Sequence, residues 1–353
     1  MRAIVTGGAG FIGSALVRRL VGDGHAVLNI DKLTYAGRLE TVASVSRDPN
    51  YSFLRADVAD AMVMTRACAE FGPNVVFHLA AETHVDRSVD QPAAFIETNV
   101  GGTCAMLEAA LRYWSGLEGE ARRQFRFMQV STDEVYGSLG SEGHFCEDSP
   151  YRPNSPYAAS KAAGDHLANA WFVTYGLPVL VSNCSNNYGP FQHPEKLIPT
   201  VLRHALAFSP IPVYGDGSNC RDWLYVDDHV DGLLRLYERG RPGEKYLFGA
   251  RANVNNIALV ETLCGILDRF KPRAQGGSYA TQISFVDDRP GHDFRYAIDP
   301  AKAERELGWA VRRALPGGLQ ETVSWYLEHP SWLVRPDAEL RRLGLARGVE
   351  RAR

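Results

Sequence analysis

Six short runs of β-branched, aliphatic and aromatic residues recur through the first half of the chain, at 2–6, 26–31, 51–55, 75–79, 125–130 and 179–183. Helical patterns separate them, the longest at 11–21, 60–70, 95–114 and 157–175. A strand that returns through a helix pairs parallel to its predecessor, and runs apolar on both faces belong inside a sheet covered on both sides. The pattern therefore predicts an α/β fold with a doubly wound parallel sheet.

At 353 residues the chain exceeds the usual single-domain length, so a smaller second lobe is expected. Past Asn187 the pattern loosens into loops rich in Pro, Gly and Asn, at 188–194 and 210–219. Strands expected at 223–226 and 245–248 can rejoin the large sheet, which makes the second lobe discontinuous. The expected division is 1–186 for the sheet domain, completed from within 223–250, then 187–330 for the second lobe and 331–353 for a C-terminal tail. The segment 335–353 holds six Arg against three acids and reads as a short helix or solvated tail.

Hydrophobic residues make up 45% of the chain, charged residues 22%, and the net charge is −3. There is no basic excess to attract nucleic acid or anionic lipid, which favours small-molecule partners. The sequence begins directly in a strand-like run and holds no apolar stretch of the ~18–20 residues a spanning helix needs, so a cytoplasmic protein is expected. Its six cysteines lie far apart without metal-ligand spacing, and free buried thiols and no metal are expected.

Between the first strand and helix stands Thr6-Gly7-Gly8-Ala9-Gly10-Phe11-Ile12-Gly13. Glycines there let the backbone approach a pyrophosphate, and the helix N-terminus attracts its charge. The same spacing also serves ordinary tight turns. Asp31 ends the next strand 18 residues beyond Gly13, near the position of a ribose-binding acid, and its carboxylate disfavours a 2′-phosphate. The sheet is thus read as a Rossmann-type domain and NAD as its cofactor. Lys32 follows Asp31 and weakens that discrimination, whereas Asp57-Val58 either flanks the adenine or is a surface turn.

Tyr157-Ala158-Ala159-Ser160-Lys161 places a phenol and an ammonium four residues apart on one helix face. The ammonium is expected to lower the phenol pKa and make Tyr157 a base toward a hydroxyl. After the fifth strand comes Ser131-Thr132-Asp133-Glu134-Val135-Tyr136-Gly137. Adjacent acids there read either as a helix-capping pair or as an acid and a base with separated pKa values. A two-residue strand period puts Thr132 and Glu134 on one face and Asp133 on the other, so a turn or short helix must begin here if both acids are to reach adjacent carbons.

The glycine turn, Ser131-Thr132 and Tyr157 with Lys161 together resemble the extended short-chain dehydrogenase/reductase family over residues 1 to about 307. Further matching stretches are Asp31-Lys32-Leu33-Thr34-Tyr35-Ala36-Gly37, His78-Leu79-Ala80-Ala81-Glu82-Thr83-His84-Val85-Asp86-Arg87-Ser88, Ser185-Asn186-Asn187-Tyr188-Gly189-Pro190, Pro194-Glu195-Lys196-Leu197-Ile198-Pro199, Arg221-Asp222-Trp223-Leu224-Tyr225-Val226-Asp227-Asp228-His229 and Asp288-Arg289-Pro290-Gly291-His292. They are similar to the members that dehydrate nucleotide sugars.

That resemblance implies oxidation at C4, loss of water across C5 and C6, and return of hydride to C6 with NAD tightly bound. It implies Thr132 at the C4 oxygen, Tyr157 and Lys161 for its proton, Glu134 as base at C5 and Asp133 as acid toward the C6 hydroxyl. Cofactor contacts are implied for Gly7, Gly10, Phe11, Ile12, Gly13, Asp31, Lys32, Leu33, Thr34, Asp57, Val58, Leu79, Ala80, Ala81, Thr83, Thr98, Tyr157, Lys161 and Asn187. Nucleotide-sugar contacts, with dTDP-glucose as the substrate, are implied for Glu82, His84, Thr132, Asn186, Lys196, Leu197, Pro212, Tyr214, Arg221, Asn256, Arg289 and His292. A homodimer joined through the helices from Phe95 and Tyr157 is implied as well. The chain departs from the family pattern at Gly249-Ala250-Arg251-Ala252-Asn253, which leaves the base preference open. A nucleotide-sugar 4-epimerase uses the same Thr, Tyr and Lys without needing the acid pair; a 4,6-dehydratase of another nucleotide sugar, a decarboxylase and an NAD-binding sensor are the other readings.

Overall fold

The computed structural model describes residues 1–288 and 291–334. Seven parallel strands form the large sheet: β1 (Arg2–Thr6), β2 (Ala26–Asp31), β3 (Tyr51–Arg55), β4 (Val75–His78), β5 (Arg126–Thr132), β6 (Val179–Cys184) and the later Lys245–Phe248. Their order is Lys245–Phe248, β6, β5, β4, β1, β2, β3, so the chain winds outward from β1 in one direction and from β4 in the other. Ligands bind such sheets at the carboxyl ends of the strands, where the order reverses. Here that point lies between β1 and β4, whose final paired residues are Thr6 and His78.

Successive residues of β1 serve opposite cores. Ala3 and Val5 pack with the helix Phe11–Gly22 and the helix Val226–Arg239, while Ile4 packs with the helices Ala61–Phe71 and Gly102–Ser115. Both faces are buried, as the continuous apolar runs require. The helix expected at 95–114 is interrupted: Pro92–Phe95 leads into a π-helical turn, Ile96–Gly101, before Gly102–Ser115. Within that turn Asn99 bonds both the N–H and the C=O of Glu82 (2.8 and 3.0 Å), pinning the segment after β4 against the cleft.

The strand expected at 223–226 does not rejoin the large sheet. It runs over Cys220–Tyr225 and pairs with Asn186–Tyr188 and Asn253–Asn255 in a separate three-stranded sheet, whereas Lys245–Phe248 does lie beside β6. A second core, with Ile198, Val201, Leu259, Leu263, Leu319 and Tyr326, packs the helices Leu197–Leu206, Asn256–Phe270 and Leu315–Glu328 over it. Trp332 and Leu333 are buried in that core, so the start of the segment expected to be a tail belongs to the body. Residues 335–353 lie outside the described residues. Among the described residues no helix is long and apolar enough to cross a membrane, and no group of three His, Cys, Asp or Glu is arranged to hold a metal ion.

Candidate active site

One cleft of about 1630 Å³, part of it open to solvent, runs from the glycine turn across the ends of β1, β4 and β5. At one end lie Gly7, Gly10, Phe11, Ile12 and Gly13. The turn admits no side chains: a Cβ at Gly13 would stand 2.2 Å from Gly7 O, and one at Gly7, whose φ is +70°, would stand 2.8 Å from Ala80 N. The helix it opens has Gly10 as N-cap, no capping side chain and no acid in its first turn. That leaves its first amides for an anion, as a dinucleotide pyrophosphate requires.

Asp31 lines the same end, its two carboxylate oxygens accepting from Ala9 N (3.0 Å) and Leu33 N (2.8 Å). Burial pushes its pKa up, opposed by those bonds. Lys32 turns toward Asp57 (3.3 Å) and Thr98 Oγ1 (3.2 Å), so its charge is already engaged. Thr34, Val58, Leu79, Ala80, Ala81, Thr83, Thr98 and Asn187 also line the cleft, whereas Leu33 and Asp57 do not. These two act on residues that do: Leu33, at φ +59°, holds Asp31, and Asp57 holds Lys32. The donor set fits NAD.

At the other end the β5 strand stops at Thr132, and Asp133–Tyr136 forms a turn of 3₁₀ helix. Thr132 is its N-cap, with Oγ1 accepting from Glu134 N at 3.3 Å. The backbone thus leaves the extended form where the strand period demanded, and Thr132, Asp133 and Glu134 all line the cleft. Asp133 is 1% exposed; Oδ1 accepts from Thr132 Oγ1 (3.3 Å) and Oδ2 is buried without a hydrogen-bond partner. Burial first, then the Glu134 and Asp222 carboxylates, hold its pKa well above the usual range; Arg221 and the Thr132 bond oppose this. Both effects favour the protonated form of Asp133.

Tyr157 and Lys161 come from the helix Pro156–Tyr175, which starts cleanly because Ser155 Oγ accepts from Ala158 N (3.1 Å) and Pro156 fills the first turn. Both side chains are buried and line the cleft. The expectation that Lys161 lowers the phenol pKa needs correction. Burial, with the Glu134 carboxylate next, pushes Tyr157 well above its ordinary value, and Lys161 Nζ donates instead to Val130 O at 2.7 Å. Depth below the surface outweighs the charge one turn away.

Of the residues expected to hold the nucleotide sugar, Glu82, Thr132, Asn186 and Lys196 line the cleft, and Lys196 Nζ donates to Thr83 O at 3.1 Å. His84, Leu197, Pro212, Tyr214, Arg221, Asn256 and His292 do not. His84 is buried 3.6 Å from Glu195. Leu197 opens its helix against the second core. Tyr214, on the strand Ile211–Tyr214 with Pro212, bonds Asp86 Oδ2 (3.2 Å), and its ring centroid lies 6.1 Å from that of His292. Arg221 is held by the carbonyls of Cys220 (2.7 Å) and Asp293 (2.9 Å) over the Tyr296 ring. Asn256 keeps a buried Oδ1 without a partner. Arg289 lies outside the described residues.

The altered loop has its own anchor. Asp222, buried, accepts from Ala250 N (3.0 Å) and Ala252 N (2.7 Å), and Arg251 turns outward to Asp299 and Glu304. Several cleft residues were not picked out from the sequence. Glu195 adjoins the expected Lys196; Trp332 carries no local signal, yet it lines the cleft with Arg38, whose guanidinium sits 4.5 Å from its ring centroid.

Residues 4–322 match the family model described as GDP-mannose 4,6 dehydratase. The chain is 56% identical over 332 residues to a probable dTDP-glucose 4,6-dehydratase of Sinorhizobium fredii, covering 94% of both chains, and 50% identical to dTDP-glucose 4,6-dehydratase 1 of Escherichia coli, again over 94% of both. Among solved structures it is similar to the dTDP-glucose 4,6-dehydratase of Streptomyces venezuelae with NAD bound, at 42% identity and a TM-score of 0.86, covering 94% of this chain and 98% of that one. A UDP-glucose 4-epimerase of Thermotoga maritima stands further off, at 29% identity and a TM-score of 0.82, covering 94% of this chain and 100% of that one.

Proposed function

The chain belongs to the GDP-mannose 4,6 dehydratase family, and from that membership we infer that it is a dTDP-glucose 4,6-dehydratase, an NAD-dependent hydro-lyase. It converts dTDP-glucose to dTDP-4-keto-6-deoxyglucose and water. The observation that carries the reading is the Thr132-Asp133-Glu134 turn, which delivers two carboxyl groups into the cleft that Tyr157 and Lys161 also line.

The glycine turn, Asp31 and the Tyr157–Lys161 face would hold NAD, which would supply a hydride acceptor and donor and, while oxidised, a positive charge that favours the Tyr157 phenolate against its burial. Thr132 orients the C4 oxygen, and Tyr157, with Lys161 behind it, takes the hydroxyl proton as C4 becomes a ketone. The C5 proton then lies α to a carbonyl and is acidic. Glu134 takes it, Asp133 gives its own proton to the departing C6 hydroxyl, which leaves as water, and C5 regains a proton from Glu134 as C6 would receive the hydride first taken from C4. Two adjacent carboxyl groups can divide these roles because Asp133 is buried and pushed toward its protonated form, whereas Glu134 is less deeply buried.

The epimerase reading shares Thr132, Tyr157 and Lys161 but gives Asp133 and Glu134 no work. Incubation with dTDP-glucose carrying deuterium at C4, without added NAD, distinguishes the two. The expected product is a 4-keto-6-deoxy sugar with the label at C6; recovery of a C4 epimer overturns the assignment. Running UDP- and GDP-glucose in parallel measures the base preference, for which the outward-turned Arg251 provides no contact.

A cytoplasmic homodimer completes the reading. Its support is that Ile96, Val173 and Tyr175, at 53%, 72% and 52% exposure, lie on the two helical segments named for pairing. Sedimentation at micromolar concentration should give twice the chain mass, and a monomer there removes the dimer from the proposal.

A further inference from the structure

One buried carboxylate beside the reacting groups has no part in the steps above. Asp165 lies one helical turn beyond Lys161 and is 3% exposed. Its Oδ2 accepts three hydrogen bonds: from Ser131 Oγ at 2.8 Å, Tyr151 Oη at 3.0 Å and Asn183 Nδ2 at 3.1 Å. Its Oδ1 is buried without a hydrogen-bond partner. Burial pushes the Asp165 pKa up, and the Lys161 ammonium, then the three donors, oppose that in favour of the carboxylate.

Two consequences follow from the placement. Ser131 immediately precedes Thr132, and Asn183 Nδ2 donates also to Thr132 O (3.1 Å), so the network anchors the end of β5 from which the reacting side chains project. Lys161 is buried, with its ammonium bonded to the neutral carbonyl of Val130. A buried ammonium without a counter-charge tends to lose its proton.

We propose that Asp165 is a positioning residue whose carboxylate keeps the Lys161 ammonium charged and ties it, through Ser131 and Asn183, to the strand end that carries Thr132, Asp133 and Glu134. The proposal rests on the assignment of Tyr157 and Lys161 given above. The surrounding groups fit it. Burial pushes Lys161 down and Asp165 opposes that more than Cys184 does. Burial first pushes Cys184 on β6 up to about 12 and His78 on β4 down to about 3, which leaves Asp165 as the larger support for the Lys161 charge. Around Asp165 itself stand Tyr136 and Tyr151, both pushed up and neutral, and Lys245, whose ammonium lies 4.6 Å from the Tyr151 ring centroid.

The test is the pH profile of kcat for dTDP-glucose in Asp165→Asn. Removing the carboxylate lowers the Lys161 pKa, so the alkaline limb, where the ammonium is lost, should move down by about one pH unit or more, with kcat at neutral pH falling about tenfold or more and KM little changed. A profile that superimposes on that of the unaltered enzyme overturns the proposal, whatever the loss of folded protein. If Asp165→Asn does not fold, Ser131→Ala combined with Tyr151→Phe leaves the carboxylate but removes two donors. The Asp165 pKa then rises and the acid limb should move up, and an unmoved acid limb also overturns the proposal. Failure of the underlying reading is separate: it shows as an unaltered enzyme that makes no 4-keto-6-deoxy product.

Discussion

Glu134→Gln is expected to lower the dehydration rate by about 10²–10⁴-fold, the range for loss of a general base, while C4 oxidation survives. The amide fills the same space and keeps the turn, since the bond that closes it runs from Glu134 N to Thr132 Oγ1 and does not use the side chain. What disappears is the carboxylate that takes the C5 proton. The nucleotide of 4-ketoglucose should then build up with its C6 hydroxyl intact and be trapped by borodeuteride. In deuterated water the unaltered enzyme should place solvent deuterium at C5, and the variant should not. Equal loss of C4 oxidation and elimination would show that Glu134 is not the C5 base.

Tyr157→Phe should abolish both steps together. The hydroxyl is removed from a ring that is 8% exposed and packs edge-on against Phe95, with centroids 6.3 Å apart, so the packing is retained and the fold should hold. Without the phenol no group takes the C4 hydroxyl proton, and the rate should fall by about 10²–10⁴-fold with no 4-ketoglucose to trap. The contrast with Glu134→Gln is the informative part: one variant stalls after C4 oxidation and the other before it. Accumulation of the 4-keto sugar by Tyr157→Phe would remove Tyr157 from the proton transfer.

Much of the architecture was legible because it rests on local pattern. The six expected strands match β1 to β6 with end shifts of at most two residues, since continuous β-branched runs between helical stretches have few other solutions. The strand expected at 223–226, which could have rejoined the large sheet, runs over Cys220–Tyr225 in a separate one, because apolar content says that a strand is buried but not which neighbour buries it. Asp165 stands at plain helical spacing from Lys161, yet its partners Ser131, Tyr151 and Asn183 arrive from other parts of the chain. Trp332 reaches the cleft from the far C-terminal side and left no local sign of doing so.

By itself the sequence determined the doubly wound sheet, the glycine turn that only residues without a Cβ can make, and the succession Thr132-Asp133-Glu134 at a strand end. Those features depend on backbone sterics and side-chain period, which act between near neighbours. The tertiary structure alone decided how the surroundings of the two acids differ. Asp133 and Glu134 are adjacent carboxyl residues, and the depth of Asp133, then the Glu134 and Asp222 charges, push its pKa well above the usual range; burial likewise turns the expected fall in the Tyr157 pKa into a rise. Protonation depends on the dielectric and charges supplied by distant segments, and these exist only once the chain has packed.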